Sequence, residues 1–146
     1  MNDLLLIVTI AGRDVALRSS EVDSVLEIET ISPVPRAPPH IAGLSTLRSR
    51  VLTVIDCQRS LGFASGEQPA GTRQAVVVER DRHGYALLVD RVEDVVEAQS
   101  GLLPVKASQG RGWQAVSLGM VETACGIFNL IDPLSLIAGP EAVRTA

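Results

Sequence analysis

The chain has 146 residues and a net charge of −4, with a pI near 5.1. This acidic balance gives no attraction for phosphate backbones, and an aromatic content of 3% leaves few rings on which bases could stack, so nucleic-acid binding is disfavoured. Hydrophobic residues make up 46% of the chain, but no apolar stretch approaches the roughly 20 residues of a membrane span and no basic leader is present, so we expect a cytosolic globular protein without membrane insertion.

The first predicted element is a β-hairpin. Residues 4–10 are a run of β-branched and leucine residues, and Gly12 suits a turn before residues 15–17 resume an extended segment. Two serines follow and predict a short helical turn that places Val22 and Val25 on one face.

A proline-rich connector and a core strand complete the first half. The prolines of residues 33–39 cannot donate to a ladder, so this stretch is predicted to be an extended surface connector. Residues 51–55 are almost entirely apolar, which predicts a strand that is covered on both faces. Asp56 follows this strand directly and precedes a short helical turn that ends at Gly62.

The second half repeats this order of elements. Residues 74–79 and 85–89 predict a second hairpin, with Gly84 in its turn. A small, polar stretch at residues 104–112 is predicted to be a mobile loop, and residues 127–131 form the second core strand.

The two halves are related in sequence. An offset of 70 residues places residues 15–28 on residues 85–98, and an offset of 76 places Gly43 on Gly119 and Asp56 on Asp132. We interpret the chain as one domain that contains two copies of a β-rich unit. Its parts are repeat halves at residues 3–70 and 73–139 and a tail at residues 140–146.

Asp56 and Asp132 each follow an apolar strand, a position that many α/β enzymes give to a catalytic acid. Asp132, however, precedes Pro133 and a short apolar helix, which is the pattern of an N-cap followed by a proline in the first turn. Because both copies carry the aspartate, structural capping is the favoured interpretation for both residues. A small hydrolase that depends on Asp56 or Asp132 is retained as an alternative.

Other chemistry finds little support in the sequence. His40 and His83 stand alone, without a second ligand at metal-binding spacing, and are predicted to be solvated loop residues. Cys57 and Cys125 form no CxxC motif and are interpreted as small apolar fillers. We therefore predict no metal, no cofactor and no enzymatic activity. An oligonucleotide-binding module of the OB type is a further alternative, which the acidic pI counts against.

Two stretches of the first half resemble the signature of CheW-like domains. Residues 37–43 contain a proline pair followed by an apolar residue and Gly43, and residues 44–56 contain a Leu-Arg pair at Arg48 and a strand that ends in Asp56. The hairpin with Val22 and residues 88–92 of the second half are also similar to that family, so the resemblance extends over nearly the whole chain.

The resemblance implies an all-β fold of two packed five-stranded barrels of the SH3 or OB type, with a few short helices. It implies a scaffold that joins the cytoplasmic tips of chemoreceptors to the regulatory domain of the histidine kinase CheA. The receptor-facing positions of the family fall on Val22, Gly43 and Arg48, and its kinase contacts lie on exposed faces and ends of both barrels. Ser24, Thr46 and Ser49 depart from the family pattern. A pathway that does not control swimming is therefore an alternative.

Overall fold

The computed structural model describes residues 3–63, 73–105 and 110–139. These residues form ten strands, three short α-helices and a 3₁₀ turn at Ser19–Glu21. The strands are β1 (Leu4–Ile10), β2 (Arg13–Arg18), β3 (Ser24–Ile28), β4 (Ile41–Leu47), β5 (Arg50–Asp56), β6 (Arg73–Arg80), β7 (His83–Leu88), β8 (Arg91–Glu97), β9 (Ser117–Thr123) and β10 (Gly126–Ile131). The helices are α1 (Cys57–Ser60), α2 (Arg111–Val116) and α3 (Pro133–Ala138).

The strands form two sheets of five, and each sheet contains strands from both sequence halves. The first sheet has the order β8-β1-β2-β10-β9 and the second has the order β3-β6-β7-β5-β4. The repeat relates β1 to β6, β2 to β7 and β3 to β8, so the two orders are equivalent and the N-terminal hairpin of each half lies in the sheet of the other. The predicted fold class, mainly β with two five-stranded units and few short helices, is confirmed.

The hairpin strands are buried on both faces, which explains why they are continuous apolar runs. In β1, Leu6 and Val8 face a central cluster between the sheets, while Leu5 and Ile7 face the inside of the first sheet. Strand β6 alternates in the same way between the central cluster and the second sheet. The central cluster comprises Leu6, Val8, Ile10, Val15, Leu17, Ile55, Cys57, Leu61, Val76, Val78, Leu87, Val89, Trp113, Val116, Ile131 and Leu136.

The exchanged hairpins end in equivalent two-residue turns with positive φ angles. Ala11 and Gly12 have φ values of 51° and 78°, and Asp81 and Arg82 have values of 50° and 67°. The sequence prediction that Gly84 belongs to the second turn is therefore wrong. Gly84 lies within β7, where a Cβ would collide with the side chain of Leu52 in the neighbouring strand.

Two other local predictions are corrected. The helical turn ends at Glu21, and Val25 lies in β3, because its backbone pairs with β6 and this tertiary pairing overrides the helical spacing. Arg111 and Gly112, predicted to be loop, form the start of helix α2, which is held by the burial of Trp113 in the central cluster. In the rest of that predicted loop, residues 104–105 belong to no helix or strand, and residues 106–109 lie outside the described residues.

Candidate partner-binding site

Asp56 and Asp132 lie at the N-termini of α1 and α3. The Oδ1 atom of Asp56 accepts from the backbone N–H of Gln58 at 3.1 Å and of Arg59 at 3.3 Å. Asp132 Oδ1 accepts from the backbone N–H of Leu134, also at 3.1 Å. In both copies the carboxylate therefore accepts hydrogen bonds from backbone N–H groups that have no partner within the helix, which is the bonding pattern of an N-cap.

The two helices pack against each other. Ser60 Oγ donates to the carbonyl of Leu136 at 2.7 Å. His40 also contacts this region: its Nε2 lies 2.9 Å from the carbonyl oxygen of Ile137, and the residue is only 5% exposed. The sequence prediction of a solvated His40 is wrong. Its imidazole packs directly against Gly139 and occupies the space that a Cβ at that residue would need. His83 is exposed, as predicted, but it lies in strand β7 and not in a loop, and its Nε2 lies 2.7 Å from Thr53 Oγ1.

The described residues offer little to a metal ion or a nucleophilic mechanism. In ranges 3–63, 73–105 and 110–139, no group of three or more His, Cys, Asp or Glu side chains is arranged to hold a metal. Burial raises the pKa of the Cys57 thiol far above its usual range, and the neighbouring Asp56 carboxylate raises it further. Cys57 is therefore a protonated, unreactive thiol within the central cluster.

Val22 lies in a groove between the second sheet and helix α3. This groove, which we call the Val22 groove, has a volume of about 260 Å³. Val22 connects the 3₁₀ turn to β3, and the N–H of Asp23 bonds to the carbonyl of Val77 at 2.8 Å, which fixes this segment against β6. The groove is lined by Ser20, Glu21, Val22, Asp23, Val78, Glu79, Arg80, Pro133, Leu134 and Ile137.

Gly43 lies in β4 and is buried, with a φ of 150°. It coincides with a register shift between β4 and β5, and a Cβ at this position would overlap the carbonyl oxygen of Ser32. Gly119, its counterpart in β9, has a φ of 139°, and a Cβ there would lie 2.9 Å from the carbonyl oxygen of Leu103. Each glycine thus lets a connecting segment approach an edge strand, where Ser32 and Leu103 bond to the residue after the glycine.

Arg48 is exposed in the turn that joins β4 to β5. It has a φ of 50°, and Ser49 has a φ of 67°, so this turn takes a left-handed conformation without glycine. Strand β5 is parallel to β7, with Leu52 opposite Gly84, so the β4–β5 and β6–β7 turns lie at the same end of the second sheet.

The structure brings two of the three predicted receptor-binding residues to one region. Ser24 pairs with Val77 near the β6–β7 turn, so Val22 lies at the same end of the sheet as Arg48. Gly43 lies in the edge strand β4, where it pairs with Val54, away from that end of the sheet. Sequence analysis missed Glu79 and Arg80 as lining residues of the Val22 groove. Only the pairing of strands from different halves brings them there, and the repeat offset does not reveal this pairing.

Comparison with known proteins identifies the family. The profile of the CheW-like domain matches residues 4–141, nearly the whole chain. The chain belongs to the CheW-like domain family.

Curated relatives and a solved structure agree with this assignment. The chain is 29% identical over 115 residues to a chemotaxis protein CheW of Thermotoga maritima, a match that spans 76% of this chain and 72% of that protein. It is 27% identical over 92 residues to the chemotaxis protein CheW of Bacillus subtilis, spanning 63% of this chain and 58% of that one. The crystal structure of the scaffolding protein TtCheW from Thermoanaerobacter tengcongensis shares the fold, with a TM-score of 0.76, 21% identity and 90% of each chain covered.

Membership of the CheW-like family supports a scaffold role in chemotaxis for this chain. Within the part of the chain that the structure describes, no helix is both long and apolar enough to cross a bilayer.

Proposed function

We propose that this protein is a non-enzymatic adaptor that couples chemoreceptors to a CheA-type histidine kinase. The observation that carries the proposal is the match of the CheW-like domain to residues 4–141, supported by the shared fold of a scaffolding CheW protein. In this proposal the protein is cytoplasmic and is recruited to membrane-associated receptor arrays through its partners.

The geometry supports a receptor-binding surface at the turn end of the second sheet. Val22 is partly exposed beside a groove, and the guanidinium of Arg48 projects from an exposed turn. An arginine in such a place can form bidentate hydrogen bonds to a partner's carboxylate or carbonyl groups. Gly43 would act indirectly, as a positioning residue that sets the path of β4 toward Arg48.

Exposed apolar residues offer surfaces for the kinase. A second groove, of about 760 Å³, lies between the edge strands β3 and β4, and its lining includes Leu26, Leu44 and Val51. Leu44 and Val51 are 37% and 51% exposed. Exposed apolar side chains beside the edge of a sheet are a common feature of protein interfaces.

A binding assay with both partners tests the proposal. The purified protein should bind a CheA regulatory domain and a receptor cytoplasmic fragment with micromolar affinity, about −8 kcal/mol. Arg48→Glu should weaken receptor binding and leave kinase binding intact. Binding to neither partner by the wild-type protein would refute the proposal.

A scaffold for a chemosensory pathway other than swimming is the second candidate. Ser24, Thr46 and Ser49 depart from the family pattern, and Thr46 lines the groove between β3 and β4. Such a protein would bind a receptor and a kinase of its own pathway but would not restore swimming to a strain that lacks its motility scaffold. Restoration of swimming would decide for the first candidate.

A further inference from the structure

Four arginines lie at the turn end of the second sheet. Arg48 and Arg50 belong to the β4–β5 hairpin, and Arg80 and Arg82 belong to the β6–β7 hairpin. Leu52 in β5 pairs with Gly84 in β7, and continuing this register by two residues places Arg50 beside Arg82. Neighbouring strands are about 4.8 Å apart, so the two turns form one ridge. We call these four residues the arginine ridge.

The first sheet provides an internal comparison for the ridge. Under the repeat offsets, the counterparts of Arg48 and Arg50 are neutral, and so are those of Arg80 and Arg82. In the same order, the counterparts are Ala124, Gly126, Ile10 and Gly12. The same strand order is thus built with neutral residues at all four positions in the other copy, where the β1–β2 turn is followed by one arginine, Arg13, at the position of His83. The shared fold does not require the ridge.

The backbone conformation of two ridge residues also supports a function for the ridge. Arg48 and Arg82 occupy left-handed turn positions, with φ values of 50° and 67°, where glycine or asparagine is the favoured residue. The counterpart of Arg82 is Gly12, which takes a φ of 78° without a side-chain penalty. Arg82 therefore carries a backbone cost that the glycine of the other copy avoids.

The charge of the ridge is only partly compensated. Arg50 bonds to Glu79, Asp81 lies in the β6–β7 turn, and Asp23 lines the Val22 groove together with Arg80, so four arginines face three carboxylates. A fourth carboxylate in the groove, Glu21, pairs with Arg18. Among the ion pairs found in the described parts of the chain, none includes Arg48, Arg80 or Arg82. Each of these three arginines is exposed, and Arg80 also lines the Val22 groove.

We propose that Arg80 and Arg82, contributed by the second half of the chain, extend the receptor-binding surface beyond Arg48 and engage a carboxylate-bearing segment of the receptor. The inference rests on the proposed function, because the ridge includes Arg48 and is continuous with the Val22 groove through Arg80. An acidic helical surface suits it, since two adjacent turns can direct several guanidinium forks at carboxylates spaced along one helix face.

The test measures affinity for an immobilised receptor cytoplasmic fragment by biolayer interferometry. Arg82→Glu should weaken binding by about tenfold, whereas the matched control Arg111→Glu, on an exposed residue of α2, should change it by less than about twofold. Raising the salt concentration should weaken wild-type binding more than it weakens binding of Arg82→Glu.

A second variant separates binding from folding. Arg82→Gly creates an Asp-Gly pair in the β6–β7 turn, the preferred sequence for this turn type, so it should raise the midpoint of thermal unfolding while weakening receptor binding. A misfolded variant cannot show both changes together.

The outcomes distinguish the two proposals. If Arg48→Glu abolishes receptor binding while Arg80→Glu and Arg82→Glu bind as the wild type does, the inference is overturned and the proposed function stands. An equal loss with Arg111→Glu would also overturn it, since net charge alone would then explain the effect. If the wild-type protein does not bind the fragment, the proposed function fails and the inference fails with it.

Discussion

Arg50 Nη2 donates to Glu79 Oε2 at 3.1 Å, across the intervening strand β7. The side chain can cross because β7 carries Gly84 at this point, where a Cβ would lie 3.2 Å from Arg50 Nη2. The ion pair ties the β4–β5 hairpin to the wall of the Val22 groove. It also neutralises one arginine of the ridge.

Removing this ion pair should affect binding more than stability. Both partners are exposed, with side-chain exposures of 40% and 47%, so Glu79→Gln should reduce the free energy of unfolding by less than about 0.5 kcal/mol. The freed charge of Arg50 should strengthen binding of an acidic receptor fragment about twofold at low salt. Chemical denaturation and interferometry measure the two effects, and weaker binding would contradict this account of the ridge.

The two helix caps should behave as a matched pair. Asp56→Ala and Asp132→Ala each remove a carboxylate that accepts backbone N–H bonds, so each should lower the free energy of unfolding by about 1 kcal/mol. Asp56→Asn should be nearly neutral, because asparagine caps a helix about as well. Urea denaturation checks all three variants. An Asp56→Asn protein that folds normally but loses a catalytic activity would instead favour the hydrolase alternative.

The two bulge glycines should both resist substitution, to different degrees. Alanine at Gly43 would place a methyl group on the carbonyl oxygen of Ser32, whereas at Gly119 the corresponding contact to Leu103 is 2.9 Å. Gly43→Ala should therefore cost more than about 2 kcal/mol of unfolding free energy, and Gly119→Ala should cost less. Gly126→Ala serves as a control for positive φ alone, since Gly126 has a φ of 133° and a Cβ there would meet nothing within 4 Å. Equal losses at all three sites would show that the close contacts do not matter.

The buried thiol of Cys57 should make stability fall at alkaline pH. Its pKa is raised in the folded protein, so the folded state holds this proton more tightly than the unfolded chain does. The resulting stabilisation is complete below the pKa of an unfolded cysteine, about 8.5, and is lost progressively as the pH rises above it. Thermal unfolding between about pH 7.5 and pH 10 should show a decline in Tm that Cys57→Ala lacks.

Thiol labelling checks the same feature independently. Cys125 is exposed and Cys57 is buried, so a thiol reagent at neutral pH should modify Cys125 in the native protein and both cysteines after denaturation. Rapid native labelling of Cys57 would show that the central cluster opens far more readily than its packing indicates.

The sequence predicted local structure well where short-range patterns determine it. The apolar run of β1 and the cap at Asp132 depend on neighbours within a few residues, and the structure has a strand and a helix start there. The pairing of Val15 in β2 with Asn129 in β10 could not be predicted, because nothing local to either residue specifies a partner so distant in the chain. Helix α2 escaped prediction for a similar reason: its stability comes from the burial of Trp113 and not from its helix propensity.

The candidate site was predicted only in part. Arg48 and Val22 came from family resemblance, and their common position at one end of the second sheet depends on strand pairing across the halves. Arg80 and Arg82 carried a signal in the sequence, since the offset of 70 residues sets them against Ile10 and Gly12. This signal could be interpreted only from the structure, which places the β4–β5 and β6–β7 turns side by side.

The exchange of hairpins between the halves has a consequence for how the chain folds. Strand β2 needs β10 as its neighbour and β1 needs β8, so the first sheet cannot close around the earliest residues until the last strands have been synthesised. Loop-closure entropy must be overcome before these distant pairings stabilise the sheet, which slows folding. During translation the N-terminal hairpin therefore exposes apolar residues on both faces, and in this interval the chain is most prone to aggregation.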